Sequence, residues 1–403
     1  MALTLDDLAR TAFDPGAVPR VGVAVSGGSD SMAALHLLAR YHAVAAVTVD
    51  HGLRPEAAAE AAFVAKACAA LGVPHHTLRW AGQDAQGNLM DQARRARLRL
   101  IAEWARARGI GHVVLAHTLD DQAETFVMRL AREAGLEGLS GMRPRFGAEG
   151  ITWHRPFLSV RRVALRDWLG ARGVGWIDDP SNDNPRFERV RARQALAQLA
   201  PLGVTPEALG AVIDHLAAAD GVLASQLARF VATHLREEAG DLVIEAEAFA
   251  ALDPELQRRL IRAALTWVSG EDYGPRAAKL ARFLETPKTA TLHGCKITCA
   301  KGVLRLTREA KAVMALRVPA GGHWDRWQLE GPRTEGAEIA ALGAEGLRQC
   351  PDWRATGLPR ASLMASPGLW RGETLLAAPV AGLKNGWKAQ IARGTFYSSL
   401  FRR

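Results

Sequence analysis

The sequence predicts an α/β fold in the N-terminal half of the chain, with a parallel sheet covered by helices on both faces. Short apolar runs alternate with helical segments from about residue 20 to residue 134, and glycines follow several of the helical segments. Such alternation is typical of parallel sheets. Polar clusters follow the apolar runs, and ligands of such sheets bind beyond the carboxyl ends of the strands. These clusters therefore indicate where a functional site lies.

The elements of this region follow from the pattern in order. Strands are predicted at 21–25, 43–50, 73–78 and 112–116. Helices are predicted at 31–41, 55–71 and 89–108, and a fourth helix runs to residue 134. Gly72, Gly109 and Gly135 come directly after three of these helices, as glycines at helix ends commonly do.

The pattern changes after residue 135. A glycine-rich connector leads to a short apolar piece around Phe157, a predicted helix at 161–173 and a loop at 175–185. Amphipathic helices at 206–219, 222–238, 254–268 and 275–284, then a hairpin within 289–307, predict a mostly helical domain. The last stretch is rich in Trp, Gly and Pro, and its fold is left unassigned. We expect domains at 1–200, 201–315 and 316–403, the last of them small.

Composition and charge are those of a soluble globular protein. The chain has 403 residues, of which 48% are hydrophobic and 23% charged, and this length suggests two or three domains. The formal net charge of +9 favours a polyanionic partner such as nucleic acid. A basic soluble enzyme without such a partner has the same balance.

Cysteine usage and hydropathy exclude several classes of protein. Four cysteines are too few for a disulfide framework, and Cys295 and Cys299 lack a second ligand pair for structural zinc. The N-terminal segment has acidic residues and no apolar core, so we expect no signal peptide. No stretch reaches the roughly 18 consecutive apolar residues of a membrane span. A cytoplasmic protein without membrane association is therefore expected.

A phosphate-binding loop is predicted between the first strand and the first helix. It consists of Ser26, Gly27, Gly28, Ser29, Asp30 and Ser31. The glycines let the backbone approach a phosphate, the helix N-terminus offers free N–H groups, and the serines add hydroxyl donors. Asp30 would repel phosphates unless a divalent cation lies between them, and ATP normally brings Mg²⁺. We expect this loop to bind ATP and Asp30 to hold Mg²⁺, the alternative being a simple strand-to-helix turn.

The loop lacks the Gly-Lys-Ser/Thr ending of a Walker A motif and does not match the GxGxxG signature. It resembles the PP-loop of ATP pyrophosphatases. Those enzymes cleave ATP between the α- and β-phosphates, adenylate a carbonyl oxygen and let a nucleophile displace AMP.

A second polar cluster closes the fourth predicted strand. Thr118 and Asp121 have the spacing of a capping box, and Asp121 and Glu124 would share one helix face. His117 lies at the carboxyl end of the strand. Carboxylates at this edge suit Mg²⁺ binding or proton transfer from an attacking ammonium. The alternative is that Asp120, Asp121 and Glu124 only cap the helix and complement its dipole.

Several strings in this order resemble the tRNA(Ile)-lysidine synthase family. They lie at 26–31, 49–54, 93–98, 115–125, 135–139, 155–158 and 178–182, with Phe187, Glu188, Arg189 and Arg193 beyond. The resemblance is strong over residues 20–200 and continues weakly to 292–295. It implies that ATP adenylates the C2 carbonyl oxygen of the wobble cytidine of a CAU-anticodon tRNA(Ile). The ε-amine of free lysine then displaces AMP and leaves lysidine.

The resemblance also implies roles for particular residues. Asp121, His117 and Arg94 are the catalytic candidates, and Arg189 and Arg193 are the candidates for tRNA binding. Arg94 and Arg97 share one helix face and could meet the triphosphate or the tRNA backbone, or only solvent. His51 is either a nucleotide contact or an ordinary loop histidine. Residues 178–182 either line the lysine pocket or form a turn.

One string departs from the family pattern, because Val190 and Ala192 stand where the family usually has Asn and Ile. The basic character of that string, which suits tRNA phosphate, is kept. The nearest alternative is a tRNA thiolase of the same superfamily, but Cys68 is the one cysteine among the first 200 residues and is expected in the core. A small-acid ligase and a non-catalytic RNA-binding protein are further alternatives. The oligomeric state is left open, a homodimer included.

Overall fold

The computed structural model describes residues 4–50, 52, 57–80, 89–178, 184–271 and 273–400. His51 and residues 179–182, which the sequence singles out, lie outside the described residues. The chain forms two compact units, Met1–Gly221 and Val222–Arg403, and each is described by itself. The finer division at residues 200 and 315 stays a prediction.

In the described residues of the first unit, one sheet is surrounded by helices. The strands are β1 Val21–Ala24, β2 Val44–Asp50, β3 His75–Arg79, β4 His112–Val114, β5 Arg145–Ala148 and β6 Ile151–His154. The helices are α1 Leu5–Thr11, α2 Ser29–Ala39, α3 Ala57–Ala70, α4 Leu89–Arg106, α5 Leu119–Leu130, α6 Leu136–Leu139, α7 Arg162–Gly170, α8 Glu188–Leu199 and α9 Pro206–His234. Helix α9 begins in this unit and ends in the next.

The sheet has the strand order β3-β2-β1-β4-β6-β5. Neighbouring strands are parallel except at one edge, where β5 runs antiparallel to β6. One face packs against α2 and α7 through Leu35 and Leu165, and the other against α4 through Ile101 and Trp104. The predicted α/β fold with helices on both faces is confirmed, with this antiparallel edge as a refinement.

The β5–β6 hairpin lies where the sequence predicts only a connector and a short apolar piece. Every second residue of β5 is exposed, and β6 buries only alternate residues. An edge hairpin of this kind lacks the continuous apolar run that marks a buried parallel strand.

The second unit begins with helices packed on an antiparallel sheet. Its strands are β7 Leu235–Glu238, β8 Asp241–Glu245, β9 Ala290–Leu292, β10 Cys295–Ala300 and β11 Val303–Arg308, in the order β7-β8-β11-β10-β9. Its helices are α10 Ala246–Ala250, α11 Pro254–Ser269 and α12 Ala277–Glu285. The predicted helices 206–219 and 222–238 are one helix, α9, which gives way to β7 after His234.

The tryptophan-rich end of the chain, whose fold the sequence leaves unassigned, forms two small sheets. The strands are β12 Arg317–Pro319, β13 His323–Trp324, β14 Trp327–Glu330, β15 Glu338–Ala341, β16 Pro367–Arg371, β17 Thr374–Ala377 and β18 Lys388–Ile391. The helices are α13 Ala310–Val313, α14 Gly343–Arg348, α15 Arg360–Met364 and α16 Phe396–Ser399. The sheets have the orders β12-β15-β16-β17 and β13-β14-β18. Trp324, Trp327 and Trp387 fill their shared core, which accounts for the composition of this stretch.

Helix α9 is the one helix among the described residues that is long and apolar enough to cross a membrane by length and composition. These two properties alone are weak evidence for a membrane span.

Candidate active site

Of the two glycines in the loop after β1, Gly27 is required by its backbone and its neighbours. Gly27 has a φ of +89°, and a Cβ on it would lie 2.9 Å from Cδ1 of Ile177. The backbone N–H of Ile177 donates to the Gly27 carbonyl oxygen at 2.9 Å. Gly28 is the N-cap of α2 and makes no side-chain cap bond, so the first N–H groups of the helix stay available to an anion.

The hydroxyl of Ser31 shapes this loop rather than standing free for a phosphate. It donates to the Gly28 carbonyl oxygen at 2.9 Å and accepts from the Ser26 backbone N–H at 3.1 Å. Since the one hydroxyl proton of Ser31 is used in this way, the Ser26 hydroxyl is the donor in the 3.2 Å contact between the two side chains. Ser26 is exposed and Ser31 is buried. Since the Ser26 hydroxyl donates to Ser31 and the Ser29 hydroxyl donates to Asp30, the expected role of the loop serines as phosphate donors stays a prediction.

Asp30 lies in the first turn of α2 and is held from two sides. Its Oδ2 accepts from Nε of Arg162 at 2.8 Å, and its Oδ1 accepts from the hydroxyl of Ser29 at 3.2 Å. Burial raises the pKa of Asp30, and the charge of Arg162 opposes this shift. The Oδ1 atom, bonded only to a hydroxyl in the described residues, is an oxygen donor of the kind that Mg²⁺ prefers.

The predicted capping box at the start of α5 is confirmed. The backbone N–H and the hydroxyl of Thr118 both donate to Oδ2 of Asp121 at 2.9 Å, and Asp121 N–H donates back at 3.4 Å. Asp120 has a different task, because its Oδ2 accepts from the backbone N–H of Arg162 at 2.7 Å and so caps α7. The bond of Asp120 is thus to α7, whereas the alternative in the sequence analysis was a cap on its own helix, α5.

Asp121 and Glu124 form a buried acidic pair on one face of α5, with exposures of 6% and 2%. Oδ1 of Asp121 lies 3.2 Å from Nη2 of Arg162 and 3.5 Å from Nη1 of Arg189. Oε1 of Glu124 lies 2.9 Å from Nε of Arg193 and 3.6 Å from Nη1 of Arg162. The second oxygen, Oε2 of Glu124, is buried and has no hydrogen-bond partner in the described part of the chain.

Charge keeps Asp121 ionised despite its burial. Burial acts to raise the pKa of Asp121, but Arg162, the Thr118 N–H and Arg189 outweigh it, and the pKa is lowered. Burial likewise acts against the charged form of Arg162, and Asp121 and Asp30 outweigh it and raise the pKa of this guanidinium. Asp121 and Arg162 are therefore a charged pair at neutral pH.

His117 is a neutral imidazole in this environment. Nε of Arg155 donates to its Nδ1 at 3.0 Å, so the neutral ring carries its proton on Nε2. Burial lowers the pKa of His117 to about 3; the charges of Arg155 and Arg189 add to the effect, while Asp121 opposes it. At neutral pH the ring can donate one hydrogen bond from Nε2, and it is a poor proton acceptor.

Arg94 and Arg97 lie one turn apart on α4, as predicted. Arg94 is exposed and Arg97 is half-buried. Burial and the charge of Arg94 lower the pKa of Arg97. Neither guanidinium contacts a carboxylate in the residues that the structure describes. The pair therefore offers positive charge to an anionic ligand.

Arg189 and Arg193 contact the acidic pair instead of standing free on the surface. Both remain partly exposed, at 45% and 43% of their side chains. Val190 and Ala192, which depart from the family pattern, are buried in α8. The sequence could not indicate that two candidate tRNA contacts would face two candidate catalytic carboxylates, and contact with tRNA stays a prediction.

Sequence reasoning missed Arg162 and Arg155 as parts of this site. Both lie in or just after the string at 155–158, where the sequence shows arginines but not their partners. The bonds to Asp30 and His117 join residues 132 and 38 positions apart, so no local spacing could have indicated them.

The cysteines lack the properties of a sulfur-transfer site. All four are free, and Cys68 is fully buried in α3. Burial raises the pKa of Cys68 to about 11, which disfavours the thiolate. In the described residues, no group of three or more His, Cys, Asp and Glu side chains could hold a metal ion. Magnesium often binds through one carboxylate and substrate phosphates, so Asp30 fits this mode better than a protein cage.

The chain is similar to several known proteins. Residues 4–200 match the PP-loop domain family. A tRNA(Ile)-lysidine synthase from Ruegeria pomeroyi is 46% identical, over 97% of this chain and 96% of that protein. A second one, from Rhodopseudomonas palustris, is 37% identical over 78% of this chain and 95% of that protein. Among solved structures, a U34-tRNA thiolase from Methanococcus maripaludis covers 53% of this chain and 78% of that chain, with 14% identity and a TM-score of 0.44.

Proposed function

The chain belongs to the tRNA(Ile)-lysidine synthase family, and on that premise we propose that it ligates free lysine to C2 of the wobble cytidine in a CAU-anticodon tRNA(Ile). One observation carries the proposal. A phosphate-binding loop and a buried acidic pair share one arginine, at 2.8 Å from Asp30 and 3.2 Å from Asp121. An anion site and a site for a cationic amine are therefore adjacent, as the ligation requires.

The reaction proceeds in two steps. The O2 atom of the cytidine attacks the α-phosphorus of ATP, and pyrophosphate leaves with the electron pair of the broken P–O bond. The ε-amine of lysine, after losing one proton from its ammonium form, attacks C2. The C2–O bond then breaks, AMP leaves with its electron pair and with the former O2 atom of the cytidine, and the nitrogen of the new C2–N bond loses a second proton.

The loop and the arginines of α4 serve the first step in this proposal. The free N–H groups at the start of α2 bind phosphate oxygens, and the hydroxyls of Ser26 and Ser29 join them by turning away from Ser31 and Asp30. Arg94 stabilises the charge that develops at the α-phosphate. Asp30 would hold a magnesium ion, and the ion would neutralise phosphate charge.

The acidic pair serves the second step. Both oxygens of Asp121 are already engaged, so Asp121 acts by its fixed negative charge. Oε2 of Glu124 is the uncommitted oxygen, and we assign to it the binding of the lysine ammonium and the removal of its proton. His117 donates a hydrogen bond from Nε2 to an oxygen of the reacting base or phosphate, and does not act as the base.

Release of AMP and pyrophosphate with defined substrates tests the proposal. Pyrophosphate should appear with ATP and tRNA, and AMP should accumulate only when lysine is added as well. Sulfide or a persulfide donor should not replace lysine. AMP release that depends on a sulfur donor, or that needs no tRNA, would contradict the proposed function.

Glu124→Gln tests the assignment of the proton acceptor within the same assay. The amide keeps the shape but cannot take a proton, so lysine transfer should fall by roughly 100-fold or more while pyrophosphate release continues. Glu133→Gln, at an exposed glutamate just after helix α5, is the matched control and should behave as the wild type. Equal loss of both steps in Glu124→Gln would contradict a role in the second step.

A further inference from the structure

Arg162 is held in place by the start of helix α7. It is the first residue of α7, and its backbone N–H donates to Asp120 at 2.7 Å. Leu165 and Leu169 of the same helix are fully buried in the core that α2 also lines. The backbone of Arg162 is therefore fixed, and its side chain, which is 22% exposed, extends from this fixed position.

The three guanidinium nitrogens of Arg162 each meet a different carboxylate. Nε lies 2.8 Å from Asp30, Nη2 lies 3.2 Å from Asp121 and Nη1 lies 3.6 Å from Glu124. Asp30 belongs to α2 and the phosphate loop, whereas the other two carboxylates belong to α5. A guanidinium is a rigid planar fork, so these contacts set distances between the two elements as well as balancing charge.

Charge balance alone does not account for this arrangement. Asp121 has a second arginine in Arg189, and Glu124 has one in Arg193. What Arg162 adds is a connection, because it is the cation that contacts both α2 and α5 in the described residues.

We propose that Arg162 is a positioning residue that holds the phosphate loop and the acidic pair of α5 in one geometry, so that ATP and the amine meet the tRNA base together. This role rests on the proposed function. Arg162 donates a hydrogen bond to Oδ2 of Asp30, which leaves Oδ1 of Asp30 for a metal ion. Hydrogen-bond partners that orient a metal-binding carboxylate typically contribute about 10- to 100-fold in metal affinity or activity.

Nucleotide binding without turnover tests the proposal most directly. A fluorescent ATP analogue is titrated with Mg²⁺ in the absence of tRNA and lysine. In Arg162→Ala the Mg²⁺ concentration for half-maximal binding should rise by about 10- to 100-fold. In Arg162→Lys it should rise less but stay above the wild-type value, because an ammonium is a point charge that cannot span three carboxylates.

Arg172→Ala is the matched control. Arg172 follows the same helix, lies 3.8 Å from Asp6 and stacks on Trp168 at 4.0 Å. Its loss removes one positive charge from the same region without touching the acidic cluster, so the Mg²⁺ requirement should not change.

Chemical rescue separates positioning from simple destabilisation. The KM for lysine of Arg162→Ala should be higher than that of the wild type, because Asp121 and Glu124 lose a contact that positions them. Millimolar guanidinium should lower this KM and restore part of the nucleotide binding. It should have no effect on the wild type. A folded Arg162→Ala protein with an unchanged or lower Mg²⁺ requirement, or one that guanidinium does not rescue, would overturn the proposal.

Arg162→Lys keeps the test decisive if the alanine variant does not fold. Should it match the wild type in Mg²⁺ requirement and in KM for lysine, a single positive charge suffices and the bridging role is wrong. If the wild type binds Mg²⁺ and ATP but transfers no lysine, the proposed function fails while the binding comparison still tests Arg162.

Discussion

Hydrogen bonds decide which polar side chains of the site are free to react. His117 uses Nδ1 to accept from Arg155, and Asp121 uses both oxygens for Thr118 and two arginines. The sequence places both residues correctly at the edge of the sheet. It cannot assign their roles, because the partners that consume their lone pairs come from distant parts of the chain.

His117 should make folding stability depend on pH. Burial holds its pKa at about 3 in the folded protein, against an ordinary value of about 6.5 in the unfolded chain. The unfolded state therefore binds more protons below about pH 6.5, and stability is lost as the pH falls from there toward 3. Between pH 6.5 and 5 the wild type should lose about 1 kcal/mol more unfolding free energy than His117→Gln.

Urea unfolding at several pH values measures this difference. His215→Gln, which removes an exposed histidine of α9, is the control and should follow the wild type. If His117→Gln loses stability with falling pH as steeply as the wild type, the neutral, buried state of His117 is wrong.

Cys68 should be dispensable for catalysis. It is fully buried, and burial raises its pKa to about 11, so it is a core residue without thiolate character. Cys68→Ala should retain most of the lysine transfer and cost about 1 kcal/mol of stability for the lost sulfur contacts. Activity and unfolding are measured on the same preparation. Complete loss of activity in a folded variant would reopen the thiolase alternative.

Elements with local signals were predictable, and elements defined by distant pairing were not. Thr118 and Asp121 mark the start of α5 within four residues, and the capping box is present. Gly221 suggests a break in α9, but a glycine in a helix costs only about 1 kcal/mol and the helix continues. The sequence predicts a helix at β7, because the partner strand β8 that stabilises β7 follows only after a turn.

Helix α8 should affect both tRNA binding and chemistry. Arg189 and Arg193 are half-exposed and contact the acidic pair. Their replacement by alanine therefore removes positive charge from the proposed tRNA-binding surface and from the acidic pair. The double variant should bind tRNA more weakly, with a salt dependence flatter by about one unit of slope per lost phosphate contact. Lysine transfer should fall as well, and ATP binding should change little.

Arg186→Ala with Arg191→Ala is the comparison within the same segment. Arg191 donates to backbone carbonyls at 3.0 and 3.1 Å and contacts no carboxylate in the described residues. The double variant Arg186→Ala, Arg191→Ala should bind tRNA more weakly, but its lysine transfer at saturating tRNA should not be slower. If the Arg189 and Arg193 variant keeps its tRNA affinity and salt slope, these residues serve the acidic pair alone.

For the whole molecule, the order of strands and helices was enough to predict the fold of the first unit and the edge at which the site lies. The fold of the second unit was harder to predict from the sequence. Its sheets join short strands, and the tryptophans on them are buried only after distant segments of the chain meet. The same limit applies to the active site. Its loop and its acidic helix are local motifs, whereas the arginine that connects them became visible only in three dimensions.

Transfer of labelled lysine to a tRNA(Ile) transcript tests the central claim most directly. The protein is incubated with ATP, radiolabelled lysine and a transcript with a CAU anticodon, and the label is mapped after nuclease digestion. We predict one lysine per tRNA at the wobble cytidine, with AMP formed in equal amount and no label on a transcript with a UAU anticodon. An active, folded protein that releases AMP but leaves the wobble cytidine unlabelled would contradict the account.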